Sequence, residues 1–224
     1  MTRILGMLHD QSDGKYREFN STIIKSGKPI VGVRMPDLRR ISSELMKGDW
    51  RSYLSEEASV LEEDIVAALI ISNAEMPQKE RLALTKEFVP SIDNWAVCDM
   101  LCGDWKFSPE IRSELWDFCG EMISSGEEFK MRFGAVMMLA KFLDDDHIDG
   151  VLRRLSAFSN DGYYYKMGAA WALSYCYLEY QEKTEELLGS GRLDKEVQNL
   201  TVRKVRESRR ADGAMRERVR VFRR

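Results

Sequence analysis

Residues 127–143 read EEFKMRFGAVMMLAKFL, and their spacing decides the fold class. Phe129, Phe133, Val136, Met137, Ala140 and Leu143 recur at intervals of three and four, so a 3.6-residue helix would carry them on one core-facing stripe. The same periodicity runs along almost the whole chain, and sustained period-two alternation is scarce. Helices are expected at roughly 2–10, 14–26, 36–47, 50–55, 59–73, 77–89, 93–103, 108–124, 127–143, 146–158, 161–179, 182–189, 194–209 and 212–222. Pro36, Pro77 and Pro109 stand where first helical turns begin, and Ser108 is placed as an N-cap. Asp93 and Asp161 can cap the helices they precede, while Gly27, Gly48, Gly126 and Gly189 fall where helices end. The chain is therefore all-α. Pairing the helices gives units of roughly 35–45 residues, the period of a HEAT-like helical-repeat solenoid of antiparallel helix pairs. There is no clean sequence repeat, so a compact helical bundle fits the same pattern. No low-complexity linker interrupts the chain, and residues 1–224 read as a single domain.

Composition narrows the function by exclusion. The 224 residues include 34 Lys+Arg against 37 Asp+Glu, a net charge of −3, with 44% hydrophobic and 32% charged residues, as in soluble globular proteins. No apolar run approaches the ~18–20 residues of a membrane helix. Asp10 and Asp13 interrupt the N-terminus too early for a secretory segment, so a cytoplasmic protein is expected. Two histidines, His9 and His147, cannot build a three-histidine zinc centre, and no CxxC occurs. Cys98, Cys102, Cys119 and Cys176 read as reduced, packed thiols. Neither GxGxxG, GxxxxGK[ST] nor GxSxG is present, and no cofactor is expected. Asp144-Asp145-Asp146 lacks the Gly and distal Glu of a calcium loop and reads as an acidic capping turn; no metal is expected.

The net charge is an average of two unlike parts. Residues 1–191 carry 22 basic and 32 acidic side chains, whereas residues 192–224 carry 12 and 5. A segment as basic as the second suits a polyanion, because each phosphate it neutralises releases condensed counterions. It equally suits a solvated terminal helix whose arginines pair with acidic neighbours.

Four positions carry candidate chemistry. Trp95 and Asp99, in DNWAVCDMLCGDW, lie four apart, which puts indole and carboxylate on one helix face. An aromatic surface beside one negative charge suits a cationic or cation-forming substrate. By spacing alone the pair also reads as a core-edge Trp with a carboxylate bonded to nearby backbone. Arg132, inside the apolar stretch opened by Phe129, either snorkels to solvent or holds an anion in a groove. Trp171 shares a helical face with Tyr164, Met167 and Leu178, which reads as core or as a ligand platform. Asp93 and Asp104 flank Asp99; on its face they would repel phosphates and raise its pKa.

Four segments taken in order, GVRMPDLRRISSELMKGDW (32–50), IDNWAVCDMLCGDW (92–105), FKMRFGAVMML (129–139) and YYYKMGAAWALSYC (163–176), give a resemblance to a known family. From about residue 30 to residue 210 the chain resembles the DNA alkylation repair family of AlkD-type glycosylases. The resemblance implies HEAT-like helical pairs stacked around a concave, DNA-binding face. It also implies hydrolysis of the N-glycosidic bond of cationic N3- or N7-alkylated purines in double-stranded DNA, without a deep base-flipping pocket. On the matching positions it implies Asp99 as catalytic carboxylate, with Trp95 and Trp171 as site aromatics and Arg132 on the DNA backbone. With the basic tail, Arg203, Arg206 and Arg210 become further DNA contacts. Gly32, Arg34 and Pro36 resemble a structural signature of the family and carry no assigned chemistry. A monomer is expected. The competing expectation is a non-catalytic HEAT-like module that binds DNA or another protein.

Overall fold

The computed structural model describes residues 4–224 and is all-α: among the described residues there are fourteen α-helices and no strand. They are α1 (Leu5–Asp10), α2 (Gly14–Ile23), α3 (Met35–Leu45), α4 (Trp50–Leu54), α5 (Leu61–Asn73), α6 (Gln78–Phe88) and α7 (Trp95–Asp104). The series continues with α8 (Arg112–Ile123), α9 (Glu128–Lys141), α10 (Ile148–Ala157), α11 (Tyr163–Glu179), α12 (Gln181–Gly189), α13 (Lys195–Glu207) and α14 (Gly213–Arg218). Every helix expected from periodicity is present, with ends that shift by up to a few residues, mostly inward. The first two residues of the expected 2–10 helix lie outside the described residues. The chain divides into two compact units, Met1–Glu110 and Ile111–Arg224.

In the first unit α5 is the central helix, packed between α3 and α7 and flanked by α4 and α6. Between Leu61 and Ser72 it is buried almost all round, including three consecutive carboxylates, Glu62, Glu63 and Asp64. Buried carboxylates are tolerated only when bonded, and the first turn of a helix favours negative charge. All three find donors. Glu62, 1% exposed, accepts the backbone N–H groups of Val31 (3.0 Å), Gly32 (2.7 Å) and Val33 (3.4 Å). Glu63 accepts from the Ser59 N–H and hydroxyl at 2.7 and 2.9 Å. Asp64 is paired with Lys28 at 2.7 Å. At the other end of α5, the buried Arg81 guanidinium donates to the carbonyls of Ile71 and Ala74, satisfying oxygens that a helix end leaves without partners.

The 31–33 turn held by Glu62 requires glycine. Gly32 has φ +91°, and a Cβ there would lie 2.5 Å from Arg17 Cβ and 2.7 Å from the Asp13 carbonyl oxygen. Its own carbonyl accepts the Asp13 N–H at 3.0 Å, and Asp13 in turn caps α2 through the Tyr16 N–H and binds Arg34.

In the second unit α11 packs between α9 and α13, and α9 packs also on α8. A helix with neighbours on two sides needs two apolar faces. The single stripe expected for α9 is accordingly too narrow: residues Met131 to Met138 are all buried, Ala140 is exposed, and Phe129 and Leu143 are half-buried. All four cysteines are buried and none is in a disulfide.

Several capping expectations are corrected. Asn94, not Asp93, caps α7, accepting the Val97 N–H at 3.0 Å. Asp161 does not cap α11; that end is satisfied by Glu128 of α9, which accepts the Tyr164 N–H at 2.6 Å. Gly27 is no helix end, since α2 stops at Ile23. The 191–224 segment folds as part of the unit: Val219 and Ala211 are buried, and Gln198 donates to the Phe222 carbonyl at 2.6 Å.

Gly32→Ala is expected to destabilise the protein by about 2 kcal/mol or more, because strain and overlap add. Gly126→Ala, also at positive φ (+78°) but with nothing within 4 Å, serves as the reference and should cost about 1 kcal/mol. Urea denaturation of both variants checks this; equal losses would refute the steric argument.

Candidate functional site

On α7, Val97, Cys98, Leu101 and Cys102 are buried, which leaves Trp95, Ala96, Asp99, Met100, Gly103 and Asp104 on the outward face. Trp95 and Asp99 are both half-buried and stand one turn apart, as their spacing requires. Trp95 is tethered: its indole N–H donates to the Ile23 carbonyl at 3.0 Å, closing the last turn of α2. Next to it, Asp93 accepts the Gly27 N–H at 2.6 Å, so the start of α7 holds the α2–α3 connection twice. Asp104, at the far end of the face, is ion-paired with Arg39, whose other nitrogen approaches Met100 Sδ at 3.6 Å. Both acidic neighbours of Asp99 are thus engaged by partners within this unit.

In the second unit the candidate residues gather around α11. Its outward face carries Tyr164, Met167, Trp171, Tyr175 and Leu178, all half-buried. Trp171 and Tyr175 meet edge to face, with centroids 6.3 Å apart. Arg210 lies over the Tyr175 ring at 5.2 Å and is ion-paired with Glu179 of the same helix. Arg203 approaches Met167 Sδ at 3.9 Å, and its Nε is 3.9 Å from Glu207. Arg132 is 6% exposed, and its Nη1 donates to the Tyr164 carbonyl at 2.7 Å. Gly168 makes room for this: a Cβ there would stand 3.1 Å from Arg132 Cγ. Arg132 therefore does not snorkel. Arg206 is exposed on α13 and enters none of the ion pairs among the described residues.

The acidic turn 144–146 does not cap α10 through a side chain, contrary to expectation: the N-cap of α10 is His147, with no side-chain bond. Asp144 accepts the Asp146 N–H, bonds His147 at 2.8 Å and pairs with Arg112. Among the described residues no three His, Cys, Asp or Glu come together as a metal site, and no helix is long and apolar enough to cross a membrane. Tyr165 is buried and donates to the Phe158 carbonyl, Tyr164 stacks on Phe129 at 5.3 Å, and Tyr163 is exposed. Tyr175 escaped the sequence reading although it stands four residues after Trp171, a spacing that was there to be used.

A sequence profile described as DNA alkylation repair enzyme matches residues 4–207. The chain belongs to the DNA alkylation repair enzyme family. No curated protein and no solved structure matches it significantly. Membership supports a role in alkylation repair and implies DNA as the substrate. The matched region includes Trp95, Asp99, Arg132, Trp171, Arg203 and Arg206, and stops short of Arg210 and the rest of the tail.

The tether on Trp95 has a measurable cost. Trp95→Phe keeps an aromatic ring but leaves the Ile23 carbonyl without its donor, and should lower stability by about 1 kcal/mol. An unshifted urea midpoint would show that α2 does not depend on the indole.

Proposed function

We propose that this protein is a DNA glycosylase that releases cationic N3- or N7-alkylated purines from double-stranded DNA by hydrolysing the N-glycosidic bond. The observation that carries the reading is the half-buried Asp99 carboxylate one turn from a tethered indole, in a member of the alkylation repair family.

The chemistry asks little of the protein. An alkylated purine that is already cationic leaves without a general acid: the C1′–N9 bond breaks, its electron pair neutralises the base, and positive charge develops on the deoxyribose. Asp99 stabilises that oxocarbenium-like charge and orients the water whose oxygen bonds to C1′, the water's proton passing to solvent. Trp95 and Trp171 pack against sugar and backbone and favour the cationic state through their ring faces. Arg132, fixed by its bond to the Tyr164 carbonyl, holds a backbone phosphate with its charge. Arg203, Arg206 and Arg210 add phosphate contacts, Arg210 by exchanging Glu179 for a phosphate. Nothing in this chemistry requires the base to enter a deep pocket. The reading takes residues 1–224 as a single HEAT-like domain acting as a monomer in the cytoplasm.

Incubation with N-methylated duplex DNA should release 3-methyladenine or 7-methylguanine, measured by chromatography of the free bases. Asp99→Asn should slow release about 100-fold or more while duplex binding survives. Should excess protein release no base at all, the chain is instead a non-catalytic binding module.

A further inference from the structure

Residues 208–224 lie beyond the part of the chain that matches the family, yet they are ordered and docked. Asn199 on α13 exchanges two bonds with the backbone of Arg224, at 2.8 and 2.9 Å, and the Arg224 guanidinium donates to the Leu193 carbonyl at 3.2 Å. This docking brings Arg223 and Arg224 to the same cleft as Lys195, Arg203 and Arg206. Two acidic residues line the cleft as well, and both are occupied. Asp194 caps α13 through the N–H groups of Glu196 and Val197, and Glu196 is paired with Lys166 at 2.8 Å. Lys195, Arg206 and Arg223 enter no ion pair among the described residues. The neighbouring tail arginines Arg218 and Arg220 are instead paired, with Glu185 at 2.6 Å and Glu217 at 2.8 Å.

Exposed cations held together without counter-charges repel one another, and such a surface is relieved by a ligand that brings several negative charges at once. Phosphates spaced along a strand meet that requirement, and each one neutralised releases counterions. We propose that this cleft is a phosphate-tracking surface for duplex DNA, with Lys195 joining Arg203 and Arg206 on α13 and Arg223 extending their contacts onto the tail that the family match leaves out. The proposal rests on the reading of DNA as the substrate but not on base excision.

Binding of an unmethylated duplex, followed by fluorescence anisotropy between about 50 and 200 mM NaCl, tests it. The double variant Lys195→Ala, Arg223→Ala should flatten the plot of log Kobs against log [NaCl] by about 1.8, the slope of two phosphate contacts. Arg218→Ala with Arg220→Ala removes the same net charge from already paired positions and should leave the slope as in the wild type. Lys195→Arg with Arg223→Lys keeps both charges and should keep the slope, which separates charge from any effect on folding. A wild-type slope in the cleft variant, or an equal loss in the Arg218/Arg220 variant, overturns the proposal. The two readings fail separately: no base release from wild-type protein with a cleft-dependent slope removes excision alone, and base release with an unchanged slope removes the cleft alone.

Discussion

The first unit hangs on a carboxylate buried in its interior. Glu62 sits in the first turn of the central helix and spends both oxygens on three consecutive backbone N–H groups of the 31–33 turn. Removing the carboxylate would leave buried donors unsatisfied, at a cost of about 1–3 kcal/mol each. The turn it fixes has positive φ at Gly32 and receives the Asp13 N–H on its carbonyl. Asp13 begins α2, and the carbonyl that ends α2 accepts the Trp95 indole. A chain of bonds therefore runs from a buried structural glutamate to the aromatic beside Asp99. The orientation of the candidate site in this unit is set by the same contacts that close its fold.

In the second unit α11 does the corresponding work. It is buried on the sides that meet α9 and α13 and open on the side that carries Trp171 and Tyr175. Its N-terminal backbone is bound twice by α9: the Tyr164 N–H by Glu128 and the Tyr164 carbonyl by Arg132. A helix fixed at its first turn by two charge-assisted bonds presents its aromatic face in one register. Arg132 thus has a structural duty at the start of α11, donating to the Tyr164 carbonyl.

Helix positions were legible in the sequence because amphipathic spacing and start signals act locally, and all fourteen helices follow from them. What was not legible depends on partners far along the chain. Asp93 is a sound local candidate for a cap, but the Gly27 N–H, 66 residues away in sequence, claims it and leaves the task to Asn94. Asp161 loses α11 to Glu128 for the same reason. The α9 stripe came out too narrow because periodicity reports one apolar face, whereas a helix between two neighbours hides its second face inside the same run of Met, Ala and Gly. Trp95 and Asp99 were legible as a pair sharing one helix face and Trp171 as core or platform; their half-buried state, which decides between those readings, was not. The buried state of Arg132 was not, because the sequence does not show that the Tyr164 carbonyl waits for it.

Charge follows the same logic. A body with 32 acidic and 22 basic side chains looks hostile to a polyanion, but a count weighs every carboxylate equally and a phosphate does not. Glu62, Glu63 and Asp64 are consumed inside the fold, Asp93 by a backbone N–H and Asp104 by Arg39. Asp64 and Asp104 are paired with counter-charges, Lys28 and Arg39, and salt screens exposed charges beyond a Debye length of about 10 Å. In the tail the same pairing removes Arg210, Arg218 and Arg220 from the free positive charge. In the cleft proposed to track phosphates, the cations that enter no ion pair among the described residues are Lys195, Arg206 and Arg223. The electrostatics of recognition is set by which charges the structure has not already used.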